Sequence, residues 1–506
     1  MDLFIPFKKC LQFLLISIVF SFTNFTTTTA LEAKFKRISK IISPTNDFSK
    51  PESFERRPAG AATVFKLINQ NSFSHSSANM SFERELDFKV GNGFFRRVWV
   101  SSPSSTKSAD GLGPIFNARS CQGCHLKDGR GHTPSGNWPE DNAVSMFLRL
   151  SIPPQNEEQR SLIANHFVKV IPSPKYGIQL QDIAIQGHNE EGKMHIEYEE
   201  MPMYFTDGKV VYLRKPTYTI IDWKYGAPKT GILTSPRVAP PMIGLGLLEA
   251  ISDTDILANS DPNDDDKDGI SGKPNLVWDI QKQNVAIGRF GWKAGEPNLR
   301  QQASAAFNID LGISGPLAKS PWGDCTTFQR KCRNAPNGNT PEQNNLEISL
   351  KSMDKLVFYS QNLAVPARRN LDNKQVLAGK KLFYETGCIS CHRPKFVTKN
   401  LPNQPEQSFQ LIWPYTDLLL HNMGEGLADN RPEGEANGFE WRTAPLWGIG
   451  LTKAVSGHTE FLHDGRARNL LEAILWHGGE AENSKNIVLT FDKEERQALL
   501  SFLNSL

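Results

Sequence analysis

Two copies of one five-residue motif constrain this chain more than any other feature of its sequence. The strings CQGCH at 121–125 and CISCH at 388–392 share the pattern CxxCH. Two cysteines at this spacing can form thioethers with the two vinyl groups of one porphyrin, and the next histidine then lies under the iron. The motifs therefore predict two covalently bound haem c groups. The predicted attachment residues are Cys121, Cys124, Cys388 and Cys391, with His125 and His392 as the proximal iron ligands.

Other uses of paired cysteines fit the sequence less well. A structural zinc site usually combines two CxxC pairs without a histidine fixed to each. A thioredoxin-like pair requires a βαβ context and would not carry a histidine at the same place twice. The duplicated histidine therefore favours haem attachment over both.

The first 33 residues have the pattern of a secretory signal peptide. Lys8 and Lys9 precede an apolar run at 11–22, and either TTA at 28–30 or LEA at 31–33 offers a cleavage site. The apolar run is short for a membrane span, although an uncleaved anchor is an alternative. Because haem c attachment takes place outside the cytoplasm, both features predict a periplasmic protein. A net charge of +3 gives no indication of a nucleic-acid partner.

Two further cysteines lie in a loop rich in glycine, asparagine and proline. Cys325 and Cys332 are separated by six residues. In an oxidising compartment they can form a disulfide, which is the favoured interpretation. Free thiols are the alternative.

The rest of the chain predicts a mainly α fold with two cytochrome c-like haem domains. A polar arm at 34–85 precedes a first domain at 86–320 and a second at 321–506, with one motif in each domain. The segment at 145–225 differs from its surroundings, because apolar and polar residues alternate on both sides of Asp207-Gly208. That pattern is typical of a β-hairpin with a primed turn, and predicts a small β insertion in the first domain.

An internal repeat relates the two halves. RVAPPMIGLGL at 237–247 matches RTAPLWGIGL at 442–451, and FGWKAGEPNL at 290–299 matches FLHDGRARNL at 461–470. Counting on from the shared Asn-Leu, His477 occupies the position of Ala306. This difference predicts a second iron ligand on the second haem and an open distal side on the first. The alternative is that His477 caps its helix and both sixth ligands come from elsewhere.

Several motifs resemble those of the di-haem oxidoreductase family, which includes relatives of the bacterial di-haem cytochrome c peroxidases and of the di-haem enzyme that matures tryptophan tryptophylquinone. They are FNARSCQGCHLKDGRG, DGISG, GRFGWKA and EFLHDGRARNLLEAILWHGGEA, and the likeness extends from about 80 to 506. The resemblance implies that the first haem handles peroxide and the second delivers electrons.

The resemblance also assigns two positions. The peroxidases have a distal methionine where this chain has His477, so the second haem is expected to have a lower potential; Met423 is the alternative ligand. The family's acidic residue near the peroxide-handling haem corresponds most closely to Asp310, which is the candidate acid/base.

An acidic stretch, DPNDDDKDGISG at 261–272, suggests a separate cation site. Asp264, Asp266 and Asp268 alternate ahead of Gly269, as in the first half of a calcium loop. Asn275 stands where a bidentate glutamate would complete the loop, so a solvated acidic turn is the alternative.

Together these observations predict a periplasmic di-haem oxidoreductase. It would reduce hydrogen peroxide, or oxidise an organic or protein substrate, at the first haem, with electrons supplied through the second from a small redox protein. A non-catalytic electron carrier with two six-coordinate irons is the main alternative. Thiol–disulfide exchange is a weaker one, because it requires a CxxC pair without haem.

Overall fold

The structure is a computed structural model that describes residues 37–142, 144–228 and 231–506. The predicted signal peptide at 1–33 lies outside these residues. The chain divides into a unit ending at Asn46, which contains a short helix at 37–42, and a compact unit from Asp47 to Leu506. Among the described residues, no helix is long and apolar enough to cross a membrane. The unit from Asp47 to Leu506 contains both CxxCH motifs.

Thirteen α-helices are described in this unit. They are α1 (Phe82–Arg96), α2 (Cys121–Cys124), α3 (Glu157–Ala164), α4 (Leu245–Glu249), α5 (Asp253–Leu257), α6 (Leu299–Asp310), α7 (Arg330–Arg333), α8 (Leu350–Gln361), α9 (Lys374–Glu385), α10 (Thr452–Ser456), α11 (Leu470–Leu475), α12 (Glu482–Leu489) and α13 (Lys493–Ser505).

The strands form two-stranded sheets. They are β1 (Val100–Ser101), β2 (Asp110–Leu112), β3 (Ile115–Phe116), β4 (Met146–Ser151), β5 (Ile183–Ala184), β6 (Lys193–Tyr204), β7 (Val210–Ile221), β8 (Leu233–Val238), β9 (Leu276–Asp279), β10 (Asn284–Ile287), β11 (Phe396–Val397), β12 (Leu411–Ile412), β13 (Leu420–Asn422) and β14 (Glu440–Arg442). The β1–β2 pair is parallel; the pairs β3–β5, β4–β8, β6–β7, β9–β10, β11–β12 and β13–β14 are antiparallel. The fold is therefore α-helical with several small sheets, while the predicted domain boundaries remain a prediction.

The predicted hairpin is present, but its turn is not the primed type. Strands β6 and β7 pair from Lys193 with Ile221 to Tyr204 with Val210. In the turn, the Gly208 amide donates to the Phe205 carbonyl, and only Gly208 among 205–209 has a positive φ, of 84°. A primed type I′ turn needs positive φ at both central residues. The loop is instead a three-residue turn that ends in a left-handed glycine, so the primed-turn prediction was wrong.

Two close helix crossings, one near each CxxCH motif, depend on a glycine. A Cβ on Gly91 of α1 would lie 2.1 Å from the Lys355 carbonyl oxygen of α8. A Cβ on Gly379 of α9 would lie 1.9 Å from the Ala498 carbonyl oxygen of α13. Because only glycine lacks this atom, the helices can approach at both crossings. At each crossing, a phenylalanine follows the glycine by about one helical turn.

The predicted disulfide is confirmed. The sulfur atoms of Cys325 and Cys332 are bonded to each other, and both side chains are buried. Ile115 and Trp322 pack against the pair. The four cysteines of the CxxCH motifs form no disulfide.

Candidate functional site

One continuous cavity of about 430 Å³ connects the two CxxCH motifs. Both histidines and all four cysteines of the motifs line it. Most of the remaining wall is apolar, and comes from two buried clusters, one around each motif. The fold thus brings together residues that are about 265 positions apart in the sequence.

The first motif forms the short helix α2. The Ser120 side chain caps this helix by accepting a hydrogen bond from the Gly123 amide. His125 donates from Nδ1 to the Pro240 carbonyl at 2.8 Å, because a carbonyl oxygen can only accept. Burial lowers the His125 pKa to about 4, so the ring is neutral and Nε2 is available to a metal ion.

The second motif has the same chemistry in a tighter turn. Cys388–Ser390 form a 3₁₀ turn, and His392 donates from Nδ1 to the Tyr415 carbonyl at 2.9 Å. Burial lowers the His392 pKa to about 4. Both predicted proximal histidines are therefore neutral, and both have Nδ1 fixed by a backbone carbonyl.

A phenylalanine packs against each of these histidines. The Phe95 ring lies 6.1 Å from the His125 ring, and the Phe383 ring lies 6.1 Å from the His392 ring. Each phenylalanine follows the glycine of its helix crossing, Gly91 or Gly379, by four residues. The pattern GxxxF is thus a further repeat, and the sequence comparison missed it because two identical residues are too few to detect.

The lining residues fit two haem c groups. Each end of the cavity offers two cysteines, whose burial raises the pKa of Cys121 to about 12 and that of Cys388 to about 11. Each end also offers a neutral histidine whose ring orientation is fixed by a hydrogen bond, as is usual for metal-ligating histidines. The apolar wall suits a porphyrin, which buries most of its surface.

His477 lies in the cavity wall just after the end of α11. Its Nδ1 donates to the Ala473 carbonyl at 2.7 Å, so the ring does cap the helix. The same bond leaves Nε2 available to iron, and burial lowers the His477 pKa. Helix capping and ligation are therefore compatible. The ligand role remains a prediction.

The corresponding position of the first half differs in both residue and local structure. Ala306 lies inside α6, which continues to Asp310, whereas α11 ends at Leu475. The two helices begin alike, since Asn298 and Asn469 each accept a hydrogen bond from the amide three residues later. Ala306 also lines the cavity, but its methyl group cannot bind a metal.

The repeated segments of the two halves hydrogen-bond directly to each other in the wall of the cavity. The Val238 amide of the first half donates to the His463 carbonyl of the second at 2.8 Å. The Arg442 amide of the second half donates to the Trp292 carbonyl of the first at 2.9 Å. The two acceptors, Trp292 and His463, occupy equivalent positions of the repeat. Of the two donors, Val238 lies one residue after the position equivalent to Arg442, so the two hydrogen bonds are nearly symmetric. Neither contact could be inferred from the repeat alone.

Asp310 lines the cavity near the first motif. Gln179 donates from Nε2 to the Asp310 carboxylate at 2.8 Å. Burial raises the Asp310 pKa, while Arg149 and the Gln179 hydrogen bond oppose the rise. The negative charge of Asp310 in turn contributes to the raised pKa values of Cys121 and Cys124. A carboxyl group beside the first attachment site is suited to proton transfer, although its role is still a prediction.

A buried ion cluster lies beside the second motif. His421 lies between Asp417, 2.8 Å from Nε2, and Glu480, 2.6 Å from Nδ1. Burial opposes the charge on His421, but Asp417, together with the Cys391 sulfur, holds its pKa well above the usual value. Such an imidazolium is a poor iron ligand because both ring nitrogens carry protons. Met423, the alternative ligand, also lines the cavity.

The acidic loop brings together a different set of aspartates from the predicted one. Oxygens of Asp261, Asp264 and Asp266 lie within 4.8 Å of one another, and Asp268 is not in this group. Asp268 instead accepts a hydrogen bond from the Ile270 amide. Calcium binding at Asp264, Asp266 and Asp268 remains a prediction that the geometry does not test.

Comparison with known proteins identifies the family. The family model described as "Di-haem oxidoreductase, putative peroxidase" matches residues 55–506. A chain of Kuenenia stuttgartiensis hydrazine synthase matches with 18% identity over 40% of this chain and 70% of that chain, at a TM-score of 0.22, which is too low to relate the two folds. No curated protein matches the chain. Because the family model extends over nearly the whole of the described unit, the chain belongs to the di-haem oxidoreductase family.

Proposed function

We propose that this protein is a c-type di-haem oxidoreductase that reduces hydrogen peroxide with electrons from a small redox protein. In the two-electron form of this reaction, peroxide takes up two electrons and two protons and yields two water molecules. When bound, the haems would supply an iron centre that binds peroxide and a second centre that carries electrons.

Four thiols and three imidazoles would hold the two groups. Cys121 and Cys124 would form the thioethers at one end of the cavity, and Cys388 and Cys391 those at the other. His125 and His392 would each bind one iron through Nε2, since Nδ1 is engaged with a backbone carbonyl in both. His477 would supply a second imidazole to the iron held by His392.

The observation that carries the proposal is the difference between His477 and Ala306. Both residues line one cavity at equivalent positions of the repeat, and only His477 can bind a metal. A six-coordinate centre suits electron transfer, whereas a centre with an open side can accept a small oxidant. The difference between His477 and Ala306 therefore favours an enzyme that reacts at the first centre over a protein that only carries electrons.

Asp310 would move the proton that peroxide cleavage requires. Heterolysis needs a group that takes a proton from the inner oxygen and returns it to the outer oxygen. Asp310 combines a place in the cavity wall near the first motif with a raised pKa. The Gln179 amide fixes one carboxylate oxygen and leaves the other for substrate.

The export signal and the disulfide support a periplasmic location for this reaction. Cys325 and Cys332 are bonded, which fits an oxidising compartment. The two-domain division at about 320 is also part of the proposal.

Two measurements on one preparation test the proposal. The intact mass should exceed that of the exported chain by two haem groups, and the protein should consume peroxide in proportion to a reduced electron donor. A mass without haem would disprove the cofactor assignment, and would leave the CxxC thiols available for disulfide exchange. Two attached haems with no peroxide consumption in any redox state would instead indicate an electron carrier.

A further inference from the structure

Three arginines in the cavity wall lack a carboxylate partner. The other cationic side chains of the wall are paired: Arg237 and Arg431 with Glu433, Lys169 with Glu296, Arg289 with Asp253, and Lys485 with Glu482. For Arg130, Arg149 and Arg442, no Asp or Glu oxygen among the described residues lies within 4 Å. Arg149 is only half-buried and is stacked on Phe147. Arg130 and Arg442 are each only 9% exposed.

Neither of these two guanidinium groups is satisfied by its surroundings. Arg130 donates from Nη2 to the Leu462 carbonyl at 2.6 Å, but its buried Nε has no hydrogen-bond partner in the part of the chain that the structure describes. Arg442 donates from Nε to the Gly291 carbonyl at 3.0 Å and from Nη1 to its neighbour Thr443, at 2.9 Å. Burial lowers the pKa of both side chains to about 10, which leaves them charged at neutral pH. Glu460 and Asp464 partly oppose this lowering at Arg130, and Asp417 does so at Arg442, but all three carboxylates lie beyond 4 Å of the cations. Neither cation therefore has a directly bonded carboxylate among the described residues, and a bound anion is expected here.

Both arginines lie where the repeated loops of the two halves meet. The Arg130 guanidinium lies over the rings of Trp292 and Phe461, at 5.8 and 5.4 Å from their centroids. Arg442 binds the carbonyl of Gly291, the residue before Trp292. Both cations therefore lie beside the segment that carries Trp292, in the cavity wall.

We propose that Arg130 and Arg442 bind the propionate carboxylates of the two haems. This inference rests on the proposed cofactor, whose only anionic groups are these carboxylates. Guanidinium N–H groups donate charge-assisted hydrogen bonds to carboxylate oxygens. Each arginine has one nitrogen, Arg130 Nε or Arg442 Nη2, without a hydrogen-bond partner among the described residues.

Charge-neutral variants test the assignment through the haem reduction potentials. Reduction adds an electron to a haem, so a nearby cation stabilises the reduced form. Arg130→Gln and Arg442→Gln should each lower the midpoint potential of at least one haem. The expected shift is on the order of 59 mV, which corresponds to a tenfold change in a one-electron equilibrium constant. Arg289→Gln is the control, because it removes a buried cavity-wall arginine that already has a carboxylate partner.

The readout is an absorbance-monitored redox titration of each purified protein. Intact mass is measured first, so that failure to attach haem, which concerns the proposed function, is distinguished from failure of the arginine assignment. Arg130→Lys and Arg442→Lys keep the charge and should retain potentials closer to the wild type. Potentials of both glutamine variants no lower than that of the control would overturn the proposal.

If the glutamine variants fail to attach haem, a measurement on the wild-type protein tests the same proposal. With ¹³C-labelled propionate carboxyls, the infrared difference spectrum between oxidised and reduced protein should show ionised carboxylates at pH 5. The reason is that a neighbouring guanidinium lowers a carboxyl pKa by about 1–3 units. Bands of protonated carboxyl groups at that pH would also overturn the proposal.

Discussion

At the scale of single residues, the histidines of the cavity differ in the state of their ring nitrogens. His125, His392 and His477 each use Nδ1 to donate to a backbone carbonyl, and burial lowers the pKa of each. His421, in contrast, lies between two carboxylates, and Asp417 is the main group that raises its pKa. Burial therefore produces neutral potential ligands in three cases, while ion pairing produces a cation in the fourth.

Asp310→Asn should abolish most peroxide turnover. Loss of a general acid/base lowers the rate by about 10²- to 10⁴-fold, while both haems should remain attached. Because burial raises the Asp310 pKa, wild-type activity should fall with acidification at a pH above the ordinary carboxyl range, and this fall should be absent from the variant. A steady-state pH profile measures both effects.

Asp324→Asn is the matched control for that experiment. Asp324 is another carboxyl whose pKa is raised by burial, to about 7, and it accepts hydrogen bonds from the Ile178 and Gln179 amides. It does not line the cavity. Full turnover in Asp310→Asn, or equal losses in the two variants, would show that Asp310 has no specific catalytic role.

His477→Met should raise the potential of the second haem. Thioether ligation favours the reduced iron relative to imidazole ligation, and methionine can reach the metal from the same position. A redox titration of the variant against the wild type measures the shift. An unchanged potential for both haems would mean that His477 is not an iron ligand.

At the scale of helices, strands and turns, local patterns predicted more than long-range ones. The hairpin at β6 and β7 was predicted from alternation, because each strand carries its own signal, whereas the turn type depends on one φ angle. The repeat predicted equivalent positions for Ala306 and His477 but not the exchange of hydrogen bonds between the halves. The calcium-loop template began at Asp264, so it omitted Asp261, which only the folded loop brings close.

Gly312→Ala should destabilise the protein where α6 ends. Gly312 has a φ of 71°, and an added Cβ would lie 2.5 Å from the Gly113 Cα. The left-handed conformation and the backbone clash together predict a loss of about 2 kcal/mol or more in the free energy of unfolding. Urea denaturation of the haem-loaded protein measures this loss.

Gly93→Ala provides the opposite control on α1. Nothing lies within 4 Å of the added Cβ, and the residue is exposed in a helix. Alanine should therefore stabilise the protein by about 0.5–1 kcal/mol. A Gly312→Ala protein as stable as Gly93→Ala would refute the close contact with Gly113.

At the scale of the whole molecule, the two halves share hydrogen bonds, ion pairs and one cavity. Arg237 of the first half pairs with Glu433 of the second at 2.7 Å, and both side chains are buried. The hairpin also contacts the second half, since the Tyr218 hydroxyl donates to Asp464 at 2.9 Å. The halves thus have separate haem motifs but a common interior.

This arrangement predicts that residues 47–506 unfold in one cooperative transition. Breaking the buried contacts of one half would expose partner groups of the other, so neither half should remain folded alone. Denaturation followed by haem absorbance and by far-ultraviolet circular dichroism should give coincident midpoints. Two transitions, with one haem released before the other, would indicate independent domains.

The central claim is that the two irons differ in their sixth ligand. Electron paramagnetic resonance of the oxidised and half-reduced di-haem protein, before and after stoichiometric hydrogen peroxide, tests it most directly. The account predicts a low-spin signal from the centre with His392 and His477 and a high-spin signal from the centre with His125 alone, the latter lost on addition of peroxide. Two low-spin signals that do not respond to peroxide in either redox state would contradict it.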